Sequence, residues 1–189
     1  MLGAPRAARV RVHSTLVGHV AVVSTLAILA ASATVRASPA VGSAFPPFDA
    51  HDLDGSAHTS RELVGRRVFV AVLTSRAAGE ATRAWMLRAA DRLRGTNARL
   101  VTVIALDVSR IVPDAIVRST ARGHVPRDQW NATWLDRADA VRARLGLAKR
   151  EPLPYVFAVD SRGTIVAEAH SGYDDSAARR VFGAFAQSQ

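Results

Sequence analysis

Two uninterrupted apolar runs dominate the chain, Val68–Leu73 and the stretch from Leu100 to Leu106. Short, β-branched runs without polar alternation predict strands buried on both faces, as in a parallel sheet. Between them, Ala81, Trp85, Ala89 and Leu93 recur near one face of a helix predicted from about Arg76 to Leu93. Thr74 or Ser75 is positioned to cap that helix, and Gly95 to end it. Upstream, Asp54-Gly55 between two extended stretches predicts a hairpin turn, and Ser60 stands where it would cap a short helix, Arg61–Val64, stopped by Gly65. Downstream comes an irregular stretch, 108–129, broken by Pro113, Gly123 and Pro126, with one short helix near Asp114–Ala121. Trp130–Leu135 is expected as a third short strand. Asp136 would then cap a helix over 138–147, with Asp139 adding a second acid to its first turn. The end of the chain predicts a strand at Tyr155–Val159, a tight turn at Asp160–Gly163 and a partner strand from Thr164 to Glu168. A last amphipathic helix, 175–186, places Ala178, Val181, Phe182 and Phe185 on one side to cover a sheet face.

The first 37 residues follow a different pattern. Residues 1–13 hold Arg6, Arg9 and Arg11 and no acid, and Ser14–Val35 carries no formal charge. Small residues then stand at Ala31-Ser32-Ala33 and at Val35-Arg36-Ala37. A basic segment, an apolar segment and an A-x-A-like site are the three parts of a secretory signal peptide. Cleavage after Ala37 is expected; the alternative is an uncleaved membrane anchor, since about 20 apolar residues suffice to span a bilayer. The organisation expected is thus a signal at 1–37, a linker at 38–43 and one folded domain at 44–187, placed in the periplasm or secreted, or anchored at the inner membrane.

Composition narrows the chemistry. With 49% apolar residues the chain can build a core. Cysteine is absent, which excludes disulfides, thiolate zinc sites, thiol nucleophiles and dithiol redox cycling. The net charge of +9 comes almost wholly from arginine, with Lys149 the single lysine. That bias, with abundant Ala and Val, matches GC-rich bacterial coding. The basic residues are spread out, and the densest group, Arg142, Arg144, Lys149 and Arg150, has no interleaved aromatic, so it predicts a solvated helix face and no nucleic-acid partner. His51 and His58 flank the Asp-Gly turn and could face one another beside Asp49, Asp52 and Asp54; turn-forming acids explain the cluster with less than a metal does. Trp85, Trp130 and Trp134 are expected in the core or as anchors. No metal-ligand spacing is found and no cofactor is expected.

The segments Val41-Gly42-Ser43-Ala44-Phe45-Pro46, Asp52-Leu53-Asp54-Gly55 and Leu63-Val64-Gly65-Arg66 resemble the opening of the peroxiredoxin and TlpA-like branch of the thioredoxin-like superfamily. Leu153-Pro154-Tyr155-Val156-Phe157-Ala158-Val159, followed by Asp160-Ser161-Arg162-Gly163, resembles that branch's cis-proline strand and D-x-x-G turn. The resemblance implies an α/β thioredoxin-like fold, a central mixed sheet flanked by helices. In that branch the strand matching Val68–Leu73 leads to a reactive cysteine at a helix N-terminus, where the dipole lowers a thiol's pKa. Here the stretch is Thr74-Ser75-Arg76-Ala77-Ala78, which cannot replace the sulfur. In layout the chain is most similar to the cysteine-free, exported YtfJ-like bacterial proteins. The superfamily's groove then implies a binding role without thiol redox activity: Thr74, Ser75, Arg76, Leu153 and Pro154 would line it and hold an extended peptide or envelope protein. The alternative is an oxidoreductase relative working through an acquired metal or haem. A membrane is a partner only if the signal stays uncleaved.

Overall fold

The computed structural model describes residues 41–109, 111–137 and 139–188. The signal expected at 1–37 and linker residues 38–40 lie outside the described residues. One seven-stranded mixed sheet organises the fold, in the order β2-β1-β5-β4-β3-β6-β7. Its strands are β1 (Asp49–Asp52), β2 (Ala57–Thr59), β3 (Val68–Leu73), β4 (Arg99–Ile104), β5 (Thr133–Leu135), β6 (Tyr155–Val159) and β7 (Ile165–His170). β3 lies near the middle, parallel to β4 and antiparallel to β6, and all six of its residues are buried. This is why it reads as an unbroken apolar run.

The alternation along β3 divides the core. Val68, Val70 and Val72 join Phe45, Phe48, Trp134, Val141 and Leu145 on one face. Phe69 turns to the other, against α1 (Gly79–Arg92) and α4 (Asp175–Gln187). There it stacks on Phe182 with ring centroids 5.4 Å apart. Fully burying one such side chain is worth roughly 1.5–3 kcal/mol. On α4 the expected face, Ala178, Val181, Phe182 and Phe185, is buried together with Ala177. Its N-terminus is capped by Asp174, whose Oδ1 accepts from the amides of Ser176 and Ala177.

Several local expectations are corrected. α1 begins at Gly79, because Arg76–Ala78 forms a 3-10 turn first, and its inner face takes Thr82 rather than Ala81. The short helix after the hairpin is a 3-10 turn, Ser60–Leu63, capped by Thr59 and not Ser60; the Thr59 amide donates to Glu62. Ser60 instead accepts from the Phe48 amide. β5 starts only at Thr133, since Arg127–Ala132 winds as a 3-10 helix. The helix expected over 138–147 shrinks to α3 (Ala140–Arg144). Asp136 still serves it, accepting from the Val141 amide at 2.6 Å. Arg142 is not a solvated charge: it is largely buried and doubly bonded to Asp139. The short helix of the irregular stretch is α2 (Asp114–Arg122). Among the described residues no helix is long and apolar enough to cross a membrane.

Candidate functional site

The parallel strands β3, β4 and β5 end on one side of the sheet, where open α/β sheets leave their ligand crevices. The loop leaving β3 meets the loop entering β6 there, because the antiparallel register sets Val72 beside Tyr155. Sequence alone assigned the hydroxyls of this loop to helix capping. The structure gives them another task. Ser75 has extended backbone and makes no capping bond; its Oγ donates to the Glu151 carbonyl at 2.5 Å. The Oγ1 of Thr74, buried at 2% exposure, accepts from the Glu151 amide at 3.2 Å. Two hydroxyls thus clamp both polar groups of one residue, and the loops are closed on each other.

That clamp decides the chemistry. A hydroxyl nucleophile needs a bonded base to take its proton, and Ser75 gives its only proton to a carbonyl. Arg76 is exposed at the start of the 3-10 turn. On the facing loop Pro154 is buried, whereas Leu153 is 37% exposed. Among the described residues nothing bonds to the Leu153 amide or carbonyl. Leu153 lies at a bend just before β6, exposed and with its backbone groups unpaired, so those groups are open to a partner's backbone.

The surroundings of the clamp are fixed by polar contacts. Lys149 and Arg150 reach Asp107 at 3.4 and 3.9 Å, tying the segment after β4 to the one before the proline loop. Arg150 takes a left-handed conformation at φ 59°. Tyr155 receives the Ala148 amide on its hydroxyl and stacks on His170 at 3.9 Å. His170 lies 3.8 Å from the Glu151 carboxylate. Burial pushes the Tyr155 hydroxyl up, aided by the Glu151 charge and opposed by the Ala148 amide. The residue that sequence reasoning missed is Glu151. Its part is played by its backbone, which no sequence pattern marks.

A second polar cluster lies at the hairpin. His51 and His58 do not face one another: the register sets His51 opposite Ala57 and His58 opposite Ala50. His58 turns inward, stacked on Trp134 at 4.6 Å, with Nε2 3.0 Å from Asp52 and Nδ1 3.0 Å from Glu62. Burial raises the Asp52 carboxyl, but the His58 bond, the Ser56 and Gly55 amides and the His58 charge outweigh it and hold Asp52 below its usual range. Glu62 is lowered in the same way, against its own burial, by His58, the Thr59 amide and Arg99. Both ring nitrogens are therefore committed to carboxylates. Among the described residues no three metal-ligating side chains are placed to hold an ion.

Comparison with family models and with curated proteins finds no match. Solved structures do match. One is described as a thiol:disulfide interchange protein, DsbE, from Chlorobium tepidum, 17% identical, covering 77% of this chain and 98% of its own at a TM-score of 0.56. Another is the exposed lipoprotein thioredoxin Etrx1 from Streptococcus pneumoniae, 12% identical over 75% of this chain and 99% of its own, TM-score 0.55. A third is BsSco, a member of the Sco family of cytochrome c oxidase assembly proteins, 12% identical over 76% and 94%, TM-score 0.53. At these identities the likeness establishes the fold, which is thioredoxin-like α/β. The first of these is named for thiol:disulfide interchange and the third for a disulfide switch; this chain has the scaffold and no cysteine.

Proposed function

We propose that this is an exported, cysteine-free thioredoxin-like protein of the bacterial cell envelope, of the YtfJ-like kind, that binds an extended segment of a partner and carries no thiol redox activity. The observation that carries the reading is the exposed, unpaired Leu153 beside the clamped β3 loop. Where the fold would expose a thiol, two hydroxyls lock the loop to Glu151, while the neighbouring Leu153 stays exposed with an unpaired backbone. The surface is thereby kept and the reactive atom removed. A partner strand would pair with Leu153, and the exposed Arg76 would supply a charge-assisted donor at its edge. Export is supported by the segment at 1–37, and one of the matching structures is an exposed lipoprotein.

The test is a capture from periplasmic extract with wild type and with Arg76→Glu plus Pro154→Ala, both first shown to be folded by circular dichroism. Loss of one partner from the variant is expected. Identical partner sets would overturn the reading.

A further inference from the structure

The opposite end of the sheet is basic. The loop Val64–Arg67 leads into β3 there, and the Gly65 amide donates to the Ser161 carbonyl, joining that loop to the β6–β7 turn. Arg66 and Arg162 are exposed on these segments, and Arg61 is exposed on the 3-10 turn just before them. Arg67 and Arg92 reach the same end, over the rings of Phe185 and Phe182 at 5.2 Å. The acids at this end are already engaged: Glu62 with His58 and Arg99, Asp91 with Arg94, Asp160 with Arg162. Arg61, Arg66, Arg67 and Arg92 have no carboxylate partner among the described residues.

Two further features separate this end from an ordinary solvated surface. Val64 stands 53% exposed beside these cations, and Val41 is 55% exposed. An open cleft of about 200 Å3 lies between Arg61 and Arg162, with Phe45, Leu63 and Val64 among its apolar lining. A cationic rim around an apolar lining suits a phosphate headgroup with the first part of its acyl chain, and arginine is well shaped for phosphate. The described chain also enters the fold here, Gly42 and Phe45 donating to the Ile165 and Gly163 carbonyls.

We propose that this end of the molecule docks on an anionic phospholipid surface, Arg61 and Arg66 meeting headgroup phosphates while Val64 enters the interface. The crevice at Leu153 then faces away from the bilayer, open to a partner. The inference takes from the proposed function only the envelope location, and its test is independent of the crevice. Each arginine near an anionic surface strengthens docking roughly fivefold.

The absence of cysteine makes single-cysteine labelling free of background. The full chain carrying Val64→Cys, or Leu153→Cys as control, is labelled with an environment-sensitive fluorophore and reconstituted in nanodiscs of phosphatidylcholine or of phosphatidylcholine with phosphatidylglycerol. The expected result is a blue shift at position 64 in the anionic discs alone, absent at 153, and abolished by about 0.5 M salt or by Arg61→Glu with Arg66→Glu. The side chains of those two arginines make no hydrogen bond or ion pair among the described residues, so their reversal is expected to leave the fold intact, which circular dichroism checks. Equal emission at position 64 in both lipids would overturn the proposal, as would equal shifts at 64 and 153. A shift produced by polyglutamate but not by anionic discs would also overturn it, in favour of an acidic protein partner.

Discussion

At the scale of single residues, the clamp on Glu151 is the feature most open to direct perturbation. Thr74→Val keeps the shape and removes the acceptor, leaving the Glu151 amide without its bond. A lost bond of this kind costs about 1 kcal/mol. Urea unfolding should show that loss, and hydrogen exchange should show faster opening confined to the proline loop; unchanged exchange at Glu151 would remove the clamp from the account. Acid acts on other residues. Burial alone would raise the Asp160 carboxyl, yet the Thr164 amide and the Arg162 side chain and amide outweigh it and hold it low. Asp52 is held low by His58 and its turn amides against the same penalty. A carboxyl lowered on folding contributes stability that is complete above its unfolded value, near 3.9, and is lost as the pH falls through the lower folded value. The urea midpoint should therefore fall steadily below about pH 4, and Asp160→Asn should flatten that fall. An unchanged slope in the variant would mean Asp160 has no such role.

At the scale of elements, sequence pattern succeeded where burial is two-sided or periodic and failed where a backbone group answers to a distant loop. β3 is buried at every position and α4 keeps its apolar stripe, so both were legible. Ser75 shows the other case: it looks like a cap and bonds to a residue 76 positions away, whereas Asp136, read as a cap, does bond an amide of the helix that follows it. Trp130 was expected in a strand, but its segment winds as a 3-10 helix, with its indole donating to Val125 and with Arg122 and Arg127 over its ring. The turns are a further test of the reading. Gly163 has φ +85° and an added Cβ would stand 3.1 Å from Val64 Cγ2, whereas Gly55, at φ +101°, has open space around it. A side chain in the left-handed region costs roughly 1–2 kcal/mol. Gly163→Ala should therefore unfold at lower urea than Gly55→Ala, since it adds the contact to the strain. Equal losses would place the whole cost in the backbone.

At the scale of the molecule, the fold presents two unlike ends. One closes a hydroxyl-locked crevice beside Leu153, and the other gathers arginines without carboxylate partners. Fold alone assigns no activity, and the matching structures, at 12–17% identity, establish the scaffold rather than its use. The case for binding rests on Leu153, exposed at a bend with free backbone groups beside a loop where a thiol is chemically impossible. The central claim is that this crevice holds a partner chain. A photo-crosslinking amino acid placed in vivo at Leu153, and for comparison at Leu87, 52% exposed on α1, tests it most directly. The account predicts one dominant adduct from position 153, none from 87, and weakening of that adduct by Arg76→Glu; the same adducts from both positions, or none from 153, would contradict it.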